Sequence, residues 1–539
     1  MTALPDFRTP RWATLSALLT TSVLLTACGS SGEGSDSGSG RAKSGGTLTF
    51  AVGSDAGCVD PQQVASNETI YSVRQIVDSL TDQDPETGKI VPWLAKSWDV
   101  SSDATTFTFH LRSGVTFSDR SKLTAQVVKD NFDAVPKLGV LGALAEGYLS
   151  GVKSTTVIDP LTVKVAFKQP NAQFLQATST HSLGIESSAS VKKTPQQRCS
   201  DGVVGSGPFV LKQYVQNQSI TLARRTGYAW GSSLWSKKGE AYLDKLVFKV
   251  VPEAGVRAGS LQSGQVDAIS SVGKANEAGL RGSQVALQRR ANPGVVFGLA
   301  FNNSRPALKD ARVRQAIRYA IDRKQIADTV FPTGTRAATS VLAHTTPDYT
   351  SLASNLTFDA ARAKSLLDQA GWKSGSDGIR TKGSRKLGLT INWIPNAATN
   401  QPALELIQQQ LKSVGIDVVL KQLQVTQLAP TLQSGDYDAA WSNVTRADPD
   451  ILRSSFSTQL ANFYRVPAGD LDAALSAQAA TTDTAKRKQL VAQAQESIVQ
   501  NAYYAPVVEL QTQLGVSKKV HDLDFDASSR IQLHDTWIG

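Results

Sequence analysis

The sequence predicts an α/β protein of several domains, because strand-like and helix-like hydrophobic patterns alternate along it. Its 539 residues are too many for one compact core, and a usual domain size of roughly 150 residues suggests about three domains. The composition is that of a globular protein, with 41% hydrophobic and 19% charged residues. A large buried core is therefore expected, with disorder confined to local segments.

Strands dominate the predictions for the first half of the chain. Apolar and polar residues alternate in GGTLTFAVGSD and again in TTFTFHLRSGVTFSD, the period of a half-buried strand. The segment GPFVLKQYVQNQSITLARR predicts a hairpin, and YLDKLVFKVVP predicts a strand that leads into the helix EAGVRAGSLQSG. Strands and helices are therefore interleaved.

The second half is more helical. KDARVRQAIRYAIDRKQI, residues 309–326, places apolar residues on one helical face and predicts a single helix. DAARAKSLLDQAGW predicts a second helix that stops at Gly371. ALELIQQQLKSVGIDVVLKQL predicts a helix, a glycine stop and a strand, the connection expected in an α/β layer.

The N-terminus predicts export. Arg8 and Arg11 precede an apolar run over residues 12–27, which is shorter than the ~20 residues that span a bilayer. Residues 1–27 are therefore expected to be a signal peptide. The run ends in LTAC, which resembles the lipobox of bacterial lipoproteins and implies lipidation of Cys28. An ordinary secretory signal with a chance cysteine is the alternative.

A Gly/Ser-rich segment over residues 28–45 follows the signal peptide. Such a composition buries too little apolar surface to become ordered, and it predicts a flexible linker. With a lipid on Cys28, the protein would be held at the outer face of the cell membrane while its globular part samples the surrounding solution.

Two cysteines remain, Cys58 and Cys199. In an oxidising compartment an even pair is expected to form a disulfide, which would bring two distant segments together. Two unrelated buried thiols are the alternative.

The charge pattern and the missing motifs argue against several functions. The net charge is +10, but Lys and Arg are scattered, and the densest run, residues 380–386, predicts a solvated loop rather than a nucleic-acid surface. CxxC motifs, metal-spaced histidine pairs, phosphate-binding loops and GxSxG elbows are all missing from the sequence. We therefore expect no nucleic-acid partner, metal, cofactor or enzymatic activity, although a triad assembled from distant residues is not excluded by spacing.

The order of the segments resembles a known family. VPWLAKSWDVSSDATTFTFHLRSGVTFSD is similar to the signature of family 5 extracellular solute-binding proteins of ABC importers, of the dipeptide- and oligopeptide-binding lipoprotein type. The resemblance runs from about residue 46 to residue 539 and continues through six further segments in the same order: GSGPFVLKQY, YLDKLVFKV, LQSGQVDA, VRQAIRYAIDRKQI, AKSLLDQAGW and YDAAW.

The resemblance implies a periplasmic-binding-protein type II fold, with two lobes, a hinge and an extra inserted domain. Lobe I would comprise residues 46–80, 200–288 and 509–539, the inserted domain II residues 81–199, and lobe III residues 289–508. A bridge between Cys58 and Cys199 fits this division, since both lie near the border of lobe I and domain II.

The resemblance also implies a function. The protein would capture short peptides between its lobes, close on them and deliver them to the transmembrane subunits of an ABC permease, acting as a monomer. Within the binding class, oligosaccharides, opine-like conjugates and nickel chelates remain alternatives as solutes. A secreted lipoprotein enzyme and a sensory receptor are alternatives from other classes, and neighbouring genes would distinguish importer from sensor.

The segment SNVTRADPDILRSSF, residues 442–456, contains the candidate binding residues. Asp448 and Asp450 flank a proline, so a solvated turn is one interpretation; a metal pair or an acid–base pair lacks accompanying residues. The resemblance implies that Asp448 pairs with the α-ammonium of a peptide, although Thr445 and the shortened TRADPD stretch depart from the family and could shift that role to Asp450. Arg446 is a further candidate contact, and Trp441 would either wall the cleft or lie in the core.

Overall fold

The computed structural model describes residues 42–282 and 284–539. The predicted signal peptide, Cys28 and the linker up to residue 41 lie outside the described residues. In the described part of the chain, three main sheets carry the architecture, and a hydrophobic core of buried side chains packs against each of them.

The first sheet has seven strands. Its centre is the predicted strand around Leu48 and Phe50, whose side chains are buried, and this strand runs parallel to its neighbour with Leu48 beside Leu246. Segments distant in sequence therefore share one core. In spatial order the strands are Val285–Ala291, Gln511–Ser517, Ala268–Ile269, Thr47–Val52, Lys245–Val250, Ser219–Arg224 and Phe209–Val215.

The second sheet has five strands and belongs to the second half of the chain. The strand Gly294–Phe301 is buried at every position, as expected of a strand covered on both faces. In spatial order the strands are Asp417–Gln422, Gly388–Trp393, Ala439–Thr445, Gly294–Phe301 and Tyr504–Val508.

The chain crosses between the first and second sheets through residues 292–293 and again through residues 509–510. The two crossings lie side by side, because the Asn292 N–H donates to the carbonyl of Leu510 at 2.8 Å. Adjacent crossings of this kind let two lobes rotate about a few residues. The predicted lobe boundary at residues 288/289 falls inside the strand Val285–Ala291, so the crossing itself lies slightly later.

The third sheet is antiparallel and has four strands, Ala95–Val100, Thr106–Leu111, Thr162–Phe167 and Val152–Asp159 in spatial order. Small sheets join Thr81–Gln83 to Ile90–Pro92, Val520–His521 to Trp537–Ile538, Asp524–Phe525 to Ile531–Gln532, and Lys373–Ser374 to Arg380–Lys382 and Arg385–Lys386.

The α-helices of the described residues alternate with these strands along the sequence, and the longest is Thr484–Gln500. They are Asn67–Val73, Ala125–Ala134, Ala143–Leu149, Phe174–Ala177, Ser188–Val191, Pro195–Asp201, Ala254–Gln262, Lys274–Leu280, Ala311–Ala320, Arg323–Val330, Ala360–Gln369, Asn400–Ser413, Val425–Ser434, Ile451–Phe456, Asp470–Ala479 and Thr484–Gln500.

Two local predictions are wrong. The single helix expected over residues 309–326 is two helices, because the Asp322 side chain accepts the N–H of Gln325 and caps a new helix start. The basic run at residues 380–386 is a short hairpin rather than a loop. Arg380 itself is only 4% exposed and donates to the carbonyls of Val414 and Trp372, so it holds the hairpin to its neighbours.

Cys58 and Cys199 are joined by a disulfide that links segments 141 residues apart. The Val59 N–H also donates to the carbonyl of Cys199 at 3.1 Å, so the two segments are held by the main chain as well. Among the helices of residues 42–282 and 284–539, none combines the length and apolar character needed to cross a bilayer.

Candidate functional site

The candidate site begins at the strand Ala439–Thr445 of the second sheet. One edge of this strand pairs with Gly294–Phe301 from end to end, apart from a bulge. The other edge pairs with Gly388–Trp393 only through Ala439 and Ala440. Beyond Ala440, no strand in the described part of the chain covers this second edge.

The main-chain groups on the uncovered edge can be identified from the hydrogen bonding. The Arg446 N–H donates to the carbonyl of Pro293, so residue 446 faces the paired edge. Successive residues of a strand direct their N–H and C=O groups to opposite edges. Asn443 and Thr445 therefore direct theirs to the uncovered edge, and both side chains are half-buried.

Trp441 lies in the core of the second sheet. It is 2% exposed, and its ring stacks on Phe297 with centroids 5.2 Å apart and planes within 10°. The indole N–H donates to Asn400 Oδ1 at 3.0 Å. Trp441 is therefore a core residue rather than a wall of the cleft.

The loop after the strand contacts the part of the chain around the third sheet. The Arg446 guanidinium lies 4.5 Å from the centroid of the Tyr148 ring and donates to Gln173 Oε1 at 3.4 Å. Gln83 Nε2 donates to the carbonyl of Ala447 at 3.0 Å. Arg446 thus lies where the second sheet meets the part of the chain around the third sheet, and no ion pair to it occurs among the described residues.

Asp448 is paired with an arginine. Arg487 Nη2 donates to Asp448 Oδ1 at 2.7 Å and Arg487 Nη1 donates to Oδ2 at 3.0 Å. Asp448 Oδ1 also accepts the N–H of Asp450 at 2.8 Å, which is the hydrogen bond of a turn around Pro449. The carboxylate is 7% exposed, so this turn is buried rather than solvated.

Asp450 is paired as well. Arg453 Nε and Nη2 donate to its two carboxylate oxygens, each at 2.7 Å, and Gln478 Nε2 donates to Oδ1. The Asp450 side chain is fully buried. Gln478 Oε1 in turn accepts from Arg487 at 3.2 Å, so the two ion pairs form one network.

The network fixes the charge state of its arginines. Burial alone would lower the pKa of Arg487, but the nearby Asp448 carboxylate outweighs burial and raises that pKa. The same balance holds for Arg453, whose pKa burial would lower and the hydrogen bond to Asp450 raises. Both arginines are therefore cationic, and each neutralises one aspartate of the turn.

Sequence reasoning identified the two aspartates but missed their partners. Arg453 follows Asp450 by three residues on the helix Ile451–Phe456, a spacing at which helical side chains interact, so the sequence contained a usable signal. Arg487 lies on the helix Thr484–Gln500, and nothing in the local sequence connects it to Asp448.

The site presents hydrogen-bonding groups and paired charges. It combines an uncovered strand edge, a loop that contacts the part of the chain around the third sheet, and paired charges. The chain crosses between the first and second sheets at two adjacent segments. In residues 42–282 and 284–539, no group of three or more His, Cys, Asp or Glu side chains is arranged to hold a metal ion. Fold and site together define a two-lobed binding protein.

The family follows from comparison. The profile described as bacterial extracellular solute-binding proteins, family 5 Middle, matches residues 89–463. The chain belongs to this family, which confirms the predicted resemblance and the periplasmic-binding-protein type II fold. Members are extracellular or periplasmic binding proteins.

Characterised relatives cover most of the chain. Heme-binding protein A of Haemophilus influenzae is 26% identical over 469 residues, 81% of this chain and 82% of its own length. The dipeptide-binding protein of Escherichia coli is 26% identical over 464 residues, 80% of this chain and 84% of its own. The crystal structure of NikA from Brucella suis in complex with Fe(III)-EDTA superposes with a TM-score of 0.79 at 24% identity, covering 92% of this chain and 100% of NikA.

Proposed function

We propose that this protein captures short peptides between its lobes and delivers them to the transmembrane subunits of an ABC importer. The observation that carries the proposal is the uncovered edge of the strand Ala439–Thr445 next to the lobe contact. An extended peptide can add to such an edge as a further strand. Because main-chain pairing does not depend on the peptide's side chains, it allows peptides of many sequences to bind, as the uptake of mixed peptides requires.

Relatives support a peptide without deciding for it. The E. coli relative is a dipeptide-binding protein, whereas the H. influenzae relative is a heme-binding protein and NikA was crystallised with Fe(III)-EDTA. The strand edge favours the peptide, because a peptide main chain alternates the donors and acceptors that pair with both the N–H and the C=O groups of a strand, whereas the carboxylates of a haem or of Fe(III)-EDTA only accept hydrogen bonds.

Asp448 is proposed to hold the α-ammonium of the peptide. Its Oδ2 accepts a single hydrogen bond, from Arg487, so one acceptor position is left for a ligand amine. Asp450 is less suited, because its side chain is fully buried, whereas that of Asp448 is 7% exposed. A ligand ammonium would share Asp448 with Arg487 rather than find a free carboxylate.

The remaining assignments belong to the same proposal. Lipidation of Cys28 would hold the protein at the outer face of the cell membrane, the linker over residues 28–45 would give it reach, and it would work as a monomer without enzymatic activity. The lobe I, domain II and lobe III boundaries given above are part of it, with the crossings at residues 292–293 and 509–510 as the hinge.

A proline substitution tests the strand edge. Asn443→Pro removes the one N–H that faces the uncovered edge at that position and leaves the hydrogen bonds to Gly294–Phe301 in place. Asn443→Ala is the matched control, since it shortens the side chain and keeps the N–H. Calorimetry with tri-alanine should find weakened binding for Asn443→Pro only, at an unchanged melting temperature. Equal affinity in both variants would refute pairing at this edge.

A further inference from the structure

Arg530 is a buried cation without a counter-ion. It is 8% exposed, and it lies at the turn between the short strands Asp524–Phe525 and Ile531–Gln532. Among the described residues its guanidinium makes no hydrogen bond and no ion pair, and its Nε is shielded without a partner. Folding has therefore placed this positive charge in a largely buried position without a matching contact, and a ligand anion would supply that contact.

The surrounding main chain holds Arg530 at the hinge. On one side, the Ser529 hydroxyl donates to the carbonyl of Ala291 at 2.8 Å, directly before the crossing at residues 292–293. On the other side, the carbonyl of Ile531 accepts from Gln75 Nε2 at 3.1 Å. Because both neighbours are tied down, the position of Arg530 is fixed beside the segment about which the lobes move.

A second unpartnered donor lies close by. Asn292 follows Ala291 at the crossing and is 4% exposed, and its Oδ1 accepts from the Thr512 hydroxyl at 2.8 Å. Its Nδ2 is shielded and has no hydrogen-bond partner in the described part of the chain. Two unpartnered donors, one of them cationic, thus lie on segments that meet at the crossing between the sheets.

The acid nearest in sequence does not satisfy Arg530. Asp526 Oδ1 accepts the main-chain N–H groups of Ser528 and Arg530, at 2.8 and 2.9 Å, and so serves the turn. Two further groups that interact with Arg530, Tyr71 and His181, carry no negative charge. Burial raises the pKa of Tyr71, and burial together with the charge of Arg530 lowers the pKa of His181. Neither Tyr71 nor His181 therefore supplies Arg530 with an anion.

We propose that Arg530 holds a carboxylate of the bound solute, with Asn292 Nδ2 as an additional donor. A guanidinium presents parallel N–H groups that match a carboxylate, and the pairing is strongest where water is excluded. This inference rests on the proposed function in one respect, namely that the solute lies between the lobes. For a short peptide, the group is its C-terminal carboxylate; a chelate with carboxylate arms would satisfy the same site.

The first test needs no ligand. An unpaired buried charge costs stability in the empty protein, so Arg530→Met should leave the melting temperature of ligand-free protein unchanged or raise it. Arg323→Met is the matched control, because Arg323 is 4% exposed and donates to the carbonyls of Pro506, Ile321, Leu356 and Arg318. That control should lose stability. A loss in Arg530→Met as large as in the control would overturn the proposal.

The second test uses tri-alanine and its C-terminal amide in calorimetry. The parent protein should bind the free acid about 100-fold more tightly than the amide, a ratio typical of losing one buried charged contact. Arg530→Met should bind both weakly and without preference, and Arg530→Lys should keep part of the preference. A parent that binds both forms equally, or an Arg530→Met variant that keeps its affinity, would overturn the assignment.

Failure of the peptide proposal gives a different pattern. If the parent binds neither form of tri-alanine, the peptide assignment fails, and Fe(III)-EDTA replaces it as the carboxylate probe. Binding by the parent and not by Arg530→Met then supports the carboxylate site, and equal binding by both overturns it. If no probe binds, the ligand-free melting temperatures of Arg530→Met and Arg323→Met decide alone.

Discussion

Arg487 donates to both carboxylate oxygens of Asp448, at 2.7 and 3.0 Å, although the two residues are 39 positions apart. The pair ties the loop at the lobe contact to the helix Thr484–Gln500. Both side chains are largely buried, with exposures of 16% for Arg487 and 7% for Asp448. Removing either partner therefore leaves a charge with little access to water.

Asp448→Ala should lower the free energy of unfolding by ~3–5 kcal/mol, because Arg487 is left buried without its partner. Urea unfolding measures the change. Asp436→Ala is the control, since Asp436 is 84% exposed in its pair with Arg305, and exposed pairs contribute at most ~1 kcal/mol. A stability of Asp448→Ala equal to that of the control would mean that the pair contributes nothing to the fold.

The ammonium role of Asp448 makes a separate prediction. N-acetylation of tri-alanine removes the amine, and it should weaken binding to the parent protein by at least ~100-fold, which is ~2.7 kcal/mol. Asp448→Ala should bind the free and the acetylated peptide equally weakly. If acetylation leaves the affinity of the parent unchanged, Asp448 is a structural partner of Arg487 and nothing more.

Arg198, Asp60 and Glu186 form a buried cluster close to the disulfide. Arg198 Nε lies 2.8 Å from Asp60 Oδ2, and Nη2 lies 3.1 Å from Glu186 Oε1. One cation thus faces two acids, all at most 1% exposed. Burial, and next the charge of Asp60, raise the pKa of Glu186 well above its ordinary value.

This raised pKa predicts how stability depends on pH. Folding favours the protonated form of Glu186. The contribution of this group to the stability of the fold is therefore complete below its ordinary pKa and is lost as pH rises through the raised pKa. The Glu186→Gln variant has no titrating group at this position. As pH rises from 5 to 8, its free energy of unfolding should therefore fall by at least ~1 kcal/mol less than that of the parent. Melting temperatures at the two pH values measure the difference, with the exposed Glu146→Gln as control. Parallel pH profiles for parent and Glu186→Gln would contradict the assignment.

Much of the fold could be predicted from the sequence, because side-chain periodicity is local. The strands around Phe50 and Phe109 follow directly from alternation, and Gly371, with φ of 84°, ends its helix as a residue without a Cβ can. The helix break before Arg323 was also visible in principle, since Asp322 is a good N-cap.

The site was less predictable, because its features depend on contacts between distant segments. The uncovered strand edge results from how far two neighbouring strands run together, which no local pattern specifies. Arg530 looks like an ordinary exposed arginine in sequence. Only the placement of its hairpin against the hinge reveals that it is buried without a counter-ion.

Membrane attachment is predicted to depend on Cys28. Cys28→Ala should give a protein that is no longer acylated and is largely released from the membrane. A single acyl chain binds only marginally, but the chains of a lipoprotein anchor together bury many CH₂ groups at ~0.8 kcal/mol each. Fractionation with detection of the protein in membrane and soluble pools measures this. A variant that stays with the membrane would reject the lipobox assignment.

The bond between Cys58 and Cys199 closes a loop of 141 residues and joins the start of the first sheet to the helix Pro195–Asp201. By the chain-entropy argument, closing so long a loop stabilises the folded protein by up to ~4–5 kcal/mol, part of which strain can remove. The double variant Cys58→Ser/Cys199→Ser should therefore unfold at lower urea concentration than the parent under non-reducing conditions and match the parent once the parent is reduced.

Free-thiol counting provides the direct measurement of the bond. In unfolded, non-reduced protein, peptide mapping after treatment with a thiol probe should find neither Cys58 nor Cys199 labelled, and after reduction it should find both labelled. The carbonyl of Cys199 already accepts the N–H of Val59 at 3.1 Å, so the main chain would hold the two segments together even without the bond. Labelling of both cysteines before reduction, with unchanged stability of the double variant, would contradict the disulfide. It would mean that this main-chain contact and the packing around it hold the two segments together without a covalent bond.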